Sequence, residues 1–365
     1  MKAPFYIIVL LFLLTNQLRG QAIGINYQGG FGIANHPRFP ALKSMTHSFE
    51  LNYVLEPKDS SYWSIFHKYP TLSLSSSLQT LGNKEILGQA ISFAPIMGFY
   101  LLRKTHWRLQ GQLGWGLAYL TKHYDSFSNP KNIVIGTAIN AYTTARLRLA
   151  YRVGAWEPNL SVVLTHYSNS NAMSPNLGMN IPALQAGLRY HLNIKESDVF
   201  ERERKLAALP LFKKRWSPFL QLGLGMSGTI SRGPFYACYT GKAGVEWQYS
   251  RKAFAGAGLE YSFNGASYKF RLHNSPFSTA QKDFNRYAVF LSHEFLFGHF
   301  GFYTLGGIYL NKHVDQRSWM ATQVGLNFYP RSTVWFQKHQ VRIGVNIRSY
   351  FGLAEFALLE LGYRF

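Results

Sequence analysis

Alternation of apolar and polar residues is the dominant pattern along this chain. From Trp107 to Tyr119 the odd positions are apolar, aromatic or Gly, and the even positions are polar or small. Similar alternation occurs in residues 139–151 and 341–348. A period of two places successive side chains on opposite faces of a β-strand. The first two runs exceed the five or six residues of an ordinary strand, and about ten tilted residues cross a membrane. The pattern therefore predicts transmembrane strands.

A soluble β-sandwich would show the same alternation, so two further features separate the two folds. The face opposite the apolar one carries charges such as Arg146 and Arg148, as in the polar interior of a membrane barrel. Aromatic residues gather at strand ends, where membrane interfaces place them. Residues 359–365 alternate and end on Phe365, which resembles the C-terminal signal that the barrel-assembly machinery binds. We predict an all-β, antiparallel, transmembrane outer-membrane β-barrel.

The number of strands is predicted from the alternating segments. Eight lie before residue 194, over residues 22–33, 45–56, 62–76, 87–101, 106–121, 134–151, 158–168 and 179–193. A further six to eight are expected between Trp216 and Phe365, which gives about 14–16 strands in total. One closed barrel is the preferred arrangement. Two tandem eight-stranded barrels are the alternative, because alternation does not report which strands close a barrel.

The first residues have the order of a secretory signal peptide. Met-Lys precedes an apolar run from Phe5 to Leu14 and a polar stretch that ends near Gln21. The expected segments are a signal peptide at 1–20, a first barrel half at 21–194, a charged connection at 195–215 and a second half at 216–365. If the mature N-terminus is periplasmic, strand parity places the loop at 169–178 outside the cell and the connection in the periplasm.

Composition narrows the class of protein. Aromatic residues form 16% of the chain, and no later segment offers the roughly 20 apolar residues of a transmembrane helix. Cys238 is the only cysteine, so an intrachain disulfide is excluded. The formal charge is +21, which in another setting would suggest nucleic-acid binding. Predicted export argues against a nucleic-acid partner. The cations either fill the barrel interior or attract an anionic surface.

A candidate for catalytic chemistry lies where the seventh predicted strand ends. His166 and Ser168 share a face with the apolar residues Val162 and Leu164, so they are expected to face lipid. Unpaired polar groups in lipid are costly, and a base near a hydroxyl is what nucleophilic acyl transfer requires. The alternative is an interfacial His beside a turn Ser, since Ser, Asn and Pro are common in loops.

A family resemblance favours the catalytic interpretation. The motifs are His166-x-Ser168-Asn169, then Pro175-Asn176-x-Gly178, then Gly187-x-Arg189-Tyr190. Together they resemble the core of the lipid A 3-O-deacylase (PagL-like) and acyloxyacyl hydrolase family. The motif match spans residues 164–190, and the eight-strand pattern extends it over the first half of the chain. Residues 195–365 have no counterpart in the short members of that family.

The resemblance implies roles for five residues. Ser168 would be the nucleophile and His166 the general base, while Asn169 and Asn176 would bind the oxyanion or substrate. The short enzymes carry a Glu as third member of the triad, where this chain has Asn180. An Asn carbonyl can orient a His ring, as in Cys–His–Asn proteases, but it cannot offset the imidazolium charge.

Two functions remain open at this point. By resemblance, the first is an outer-membrane esterase that removes an ester-linked 3-hydroxyacyl chain from lipid A, with lipopolysaccharide as partner and no metal or cofactor. The positive charge would suit this phosphorylated glycolipid. The second is a non-catalytic barrel, a pore or a structural or surface-binding protein that retains a degenerate motif. The missing acidic residue and the large second half favour the second function.

Overall fold

The structure, a computed structural model, describes residues 22–33, 36, 39, 42, 44–55, 62–192, 211–228, 233–268, 285–311, 319–330, 339–350 and 353–365. The predicted signal peptide and most of the predicted connection lie outside these residues. The elements are β1 (Ala22–Gly30), β2 (Thr46–Leu55), α1 (Tyr62–Phe66), β3 (Thr71–Thr80), β4 (Gln89–Arg103), β5 (Trp107–Leu120), β6 (Ile139–Tyr151), β7 (Trp156–Ser168), β8 (Met179–His191), β9 (Arg215–Gly228), β10 (Phe235–Ser250), β11 (Ala253–Asn264), β12 (Arg286–Phe297), β13 (Phe300–Tyr309), β14 (Met320–Phe328), β15 (Gln340–Tyr350) and β16 (Leu353–Arg364).

The strands form two closed antiparallel barrels, and each lies in its own compact unit. β1 pairs with β8 from Ala22↔His191 to Gly30↔Ala183, which closes the first barrel at eight strands. β9 pairs with β16 and closes the second in the same way. The all-β barrel prediction is confirmed. The preferred single barrel of 14–16 strands is corrected to the alternative, two tandem eight-stranded barrels.

The third predicted strand, 62–76, is placed wrongly. Residues 62–66 form the short helix α1, and the strand runs from Thr71 to Thr80. The segment Tyr62-Trp63-Ser64-Ile65-Phe66 is mostly apolar and short, and periodicity alone cannot separate a strand from a buried helical turn in such a segment.

The outer wall of the first barrel is apolar and its interior is polar. On β7, Leu160, Val162 and Leu164 are exposed, whereas the intervening Ser161 and Thr165 are buried. Aromatic pairs lie where strands end, with ring centroids 4.8 Å apart both in Trp107–Tyr151 and in Trp156–Tyr190. This is the wall of a transmembrane barrel. No helix among the described residues has the length and hydropathy to cross a membrane.

Buried ion pairs fill the interior of the first barrel. The Glu157 carboxylate accepts hydrogen bonds from Arg108 at 2.6 Å and Arg148 at 2.7 Å. Glu50 pairs with Arg146 through both carboxylate oxygens. An eight-stranded barrel is just wide enough for side chains to fill it. The interior is therefore a packed polar core.

The second barrel is filled in the same way, and the buried charges of the two barrels nearly balance. The Lys242 ammonium lies 2.6 Å from the Glu360 carboxylate, and Arg342 pairs with Glu246. Among the described residues, ten Lys or Arg side chains and seven Glu side chains are buried. The described interior therefore holds an excess of three cationic side chains over acidic ones.

An apolar cluster fills one end of the first barrel. It includes Leu87, Leu120, Ile135, Tyr167 and Ile181, all buried. Burial of apolar side chains is favourable by roughly 25 cal/mol per Å² of surface removed from water. The cluster lies where β7 ends and β8 begins, so it holds the residues at that end of the barrel in place.

Candidate active site

His166 and Ser168 lie on the outer wall at the end of β7. The exposed outward-facing residues Val162 and Leu164 precede them on the same face, as the alternation predicts. His166 is half-buried, and Ser168 is buried with 7% of its surface exposed. The described part of the chain contains no hydrogen bond between the Ser168 hydroxyl and the His166 ring. Such bonds are often long in unliganded enzymes and tighten when substrate binds.

Asn180 lies directly opposite His166 in the β7–β8 ladder. Directly opposed residues of an antiparallel pair project from the same face with short Cβ separations. The Asn180 Oδ1 atom lies 2.7 Å from the His166 Nδ1 atom. A carbonyl oxygen can only accept, so Nδ1 carries the proton in this pair and Nε2 is left as the acceptor. The orientation of the ring suits a general base that acts through Nε2.

Gly178 packs closely against the His166 ring. It has a φ of +70°, and a Cβ atom built on it would lie 3.0 Å from His166 Cε1 and 3.5 Å from Nε2. Its N–H donates to the Val134 carbonyl at 3.1 Å, which fixes the backbone there. The sequence motif contains Gly178, but alternation and spacing assign it no role. Its positive φ and its contact with the ring show why a side chain does not fit.

We expect Gly178→Ala to lower turnover at least tenfold, because the new methyl group must displace the His166 ring, and a small misplacement of a catalytic group is costly. Gly154→Ala is the matched control. Gly154 also has a positive φ of 58°, but a Cβ atom there would meet nothing within 4 Å. Both variants place a side chain at a positive φ, so steady-state kinetics of the two separates this backbone effect from displacement of the ring. Equal activity of the two variants would contradict the supporting role of Gly178.

Asn169 and Asn176 interact with each other in the loop after β7. The Asn176 Oδ1 atom accepts the Asn169 N–H at 3.0 Å. The Asn169 amide group donates to the Met173 carbonyl at 2.8 Å, so its Nδ2 already has a partner. The Asn176 carbonyl is therefore oriented by the backbone, which leaves its NH₂ group as a donor. Their predicted part in oxyanion binding remains a prediction.

The described segments contain no group of three or more His, Cys, Asp or Glu side chains that could hold a metal ion. Cys238 is buried and its thiol lies 3.6 Å from the Asn264 side-chain oxygen.

Comparison with known proteins gives two family matches and weak structural matches. A search of curated proteins finds no match. The crystal structure of the outer membrane enzyme PagL is 15% identical, covers 45% of this chain and 97% of that one, and has a TM-score of 0.34. A mutant porin of Rh. blastica is 10% identical, covers 94% and 99% of the two chains, and has a TM-score of 0.19.

The family models divide the chain at the boundary between the barrels. Residues 47–189 match the model described as Lipid A 3-O-deacylase (PagL), and residues 216–365 match the model described as Acyloxyacyl hydrolase, C-terminal domain. The first match contains His166, Ser168 and Asn180. The first barrel therefore belongs to the lipid A 3-O-deacylase family, and the second belongs to the family of acyloxyacyl hydrolase C-terminal domains.

Proposed function

We propose that this protein is an outer-membrane esterase that removes an ester-linked 3-hydroxyacyl chain from lipid A, with Ser168 as nucleophile and His166 as general base. The observation that carries the proposal is the 2.7 Å contact between His166 Nδ1 and Asn180 Oδ1, on the same outward face as Ser168. A nucleophile, a base and a group that orients the base are the elements of a serine hydrolase triad.

The reaction proceeds in two acyl-transfer steps. His166 Nε2 takes the proton of the Ser168 hydroxyl while its Oγ attacks the ester carbonyl. Collapse of the tetrahedral intermediate releases the sugar hydroxyl, which receives that proton from His166, and leaves the acyl chain on Ser168. Water, deprotonated by His166, then attacks the acyl–enzyme carbonyl. Collapse of this second intermediate releases the acyl chain as a carboxylic acid, and His166 returns the proton to Ser168 Oγ. The Asn176 NH₂ group and backbone N–H groups are proposed to stabilise the oxyanion.

The placement of the site suits a membrane-bound ester. Leu164, which precedes His166 on the outward face, is 47% exposed, so the site borders the apolar wall. Lipid acyl chains lie along such a wall, and their ester bonds lie at the interface where β7 ends. We propose that this end of the barrel faces the cell exterior, as strand parity indicates. A soluble ester would need no such position.

A non-catalytic barrel is the second candidate, and one observation favours it. Asn180 is neutral and cannot offset the charge of a His166 imidazolium as a carboxylate would. A pore is the weakest version of this candidate. The interior residues that would line it, such as Arg108, Glu157, Lys242 and Glu360, are buried in ion pairs.

Mass spectrometry of lipid A tests the proposal. Outer membranes of cells that express the chain are expected to contain lipid A that lacks one 3-hydroxyacyl chain, with the corresponding free hydroxy acid released. Cells that express the Ser168→Ala chain at an equal level are the control. Unchanged lipid A beside a well-folded, abundant wild-type barrel would favour the non-catalytic candidate.

A further inference from the structure

Two loops at the active-site end of the first barrel are joined into one rigid rim. The Nδ2 groups of Asn129 and Asn132, between β5 and β6, both donate to the Ile86 carbonyl between β3 and β4 at 3.0 Å. Asn132 also donates to the Lys122 carbonyl at 3.2 Å, and Asn83 Oδ1 accepts the Ile86 N–H at 3.1 Å. Side-chain amides thus replace the backbone pairing that loops lack.

The rim is also hydrogen-bonded to the segment that packs against the His166 ring. The Leu177 N–H donates to the Ile133 carbonyl at 3.4 Å, and the Gly178 N–H donates to the Val134 carbonyl at 3.1 Å. Gly178 in turn supports the His166 ring. Neighbouring strands lie about 4.8 Å apart, so the end of β5 is roughly 10 Å from β7, within the reach of one glycolipid headgroup.

Three lysines of this rim, Lys84, Lys122 and Lys131, are exposed. We name them the lysine rim. None of the three forms an ion pair with an acid in the parts of the chain that the structure describes. The acids of the two loops are Glu85, which is exposed, and Asp125, whose Oδ1 accepts the N–H groups of its own turn. Buried arginines such as Arg108, Arg146 and Arg148, by contrast, pair with glutamates. The lysine rim therefore remains available to an external anion.

An exposed aromatic residue lies in the same loop. Phe127 is 89% exposed at the tip of a turn that Asp125 and Asn129 close through backbone hydrogen bonds of 3.0 and 3.4 Å. His123, in the same loop, is exposed as well. Large apolar side chains on a fixed turn are costly in water and favourable among lipid headgroups, where aromatic residues gather. The loop thus presents cations and an apolar group together, which suits a charged lipid.

We propose that the lysine rim binds a phosphate group of the glycolipid whose ester Ser168 cleaves. This inference rests on the proposed function and names the part of the substrate that sets its position. Lysine binds phosphate as a compact charge with several donors, and it tolerates variation in headgroup geometry. The rim holds the phosphate while the acyl chain lies along the apolar wall, so that the ester is presented to Ser168.

The kinetic test compares lipid A that carries its phosphates with the same lipid A after their removal, both in mixed detergent micelles. The Lys122→Gln/Lys131→Gln chain is expected to have about tenfold lower kcat/KM on the phosphorylated substrate, since exposed charge-assisted bonds are weaker than buried ones. Its kcat/KM on the dephosphorylated substrate should equal that of wild type. Lys68→Gln/Lys104→Gln, which removes two exposed lysines at the opposite end of the barrel, is the matched control.

A binding test separates failure of this inference from failure of the proposed function. Binding of phosphorylated lipid A to the Ser168→Ala chain is followed by tryptophan fluorescence, with and without the two lysine changes. Weaker binding by the lysine variant supports the phosphate site even if the wild-type chain hydrolyses nothing. Equal binding, or equal kinetic loss on both substrates, overturns it. Binding of inorganic phosphate that depends on the lysines, together with lipid A binding that does not, would assign the rim to a free anion and overturn the lipid assignment.

Discussion

Replacement of Ser168 by Ala is expected to abolish release of the hydroxyacyl chain, with turnover at least 1,000-fold below wild type, because loss of a serine nucleophile removes the covalent route. The variant should still migrate as a folded, heat-modifiable barrel. The Ser168 hydroxyl makes no hydrogen bond in the described part of the chain, and the residue lies at the end of β7. A small change there costs little stability.

Ser161→Ala is the control for this variant. Ser161 lies on the same strand, but its side chain is buried in the interior and its hydroxyl has no hydrogen-bond partner among the described residues. The control should keep wild-type turnover. A fluorophosphonate probe adds a readout that a structural role would not change, because it should label the wild-type and control chains and leave Ser168→Ala unlabelled. Turnover that persists in Ser168→Ala would show that another group is the nucleophile.

Alternation predicts the faces of the strands but not the closure of the barrels. The outward face of β7 and the buried position of Arg146 both follow from a period of two. Closure depends on pairs such as Ala22↔His191, which lie far apart in the chain and have no signature in local alternation. The start of β3 could not be predicted either, because a short apolar segment suits both a strand and the helical turn of α1.

For the candidate site, too, the sequence predicts the faces of the strands but not the contacts between residues. Parity predicts that His166, Ser168 and Asn180 share the outward face. In the structure His166 and Asn180 are half-buried at outward positions, and Ser168 at the end of β7 is buried. The register that sets Asn180 opposite His166 depends on the length of the loop between β7 and β8, and alternation does not encode it. The packing of Gly178 against the ring depends on the φ of that residue. These contacts could be found only in three dimensions.

Asn180→Ala is expected to lower turnover at least tenfold, because it removes the group that orients the His166 ring. A hydrogen bond to a charged group contributes roughly 1.5–3 kcal/mol, which corresponds to about ten- to hundredfold in rate. His166→Ala should fall to the same floor as Ser168→Ala, since residues that act as a unit are not additive. Adding Asn180→Ala to either of these variants should then change nothing further. Wild-type turnover in Asn180→Ala would show that another group orients His166.

Asn180→Asp and Asn180→Glu separate orientation from charge. Either carboxylate can accept the His166 Nδ1 proton as the Asn180 carbonyl does, and it also stabilises the imidazolium that forms during proton transfer. Asp has the reach of the native residue, whereas Glu restores the residue type of the short deacylases and needs space for one more methylene. The start of β8 is fixed by the Asn180 carbonyl, which accepts the Ile33 N–H at 2.8 Å, and by Pro182 two residues later.

We therefore expect Asn180→Glu to keep or raise turnover, and Asn180→Asp to raise it if charge limits the native enzyme. Single-turnover kinetics of acyl release measures this directly. If both acids lower turnover as much as Asn180→Ala does, the native amide is needed for more than orienting the ring, and the comparison with an acidic triad fails.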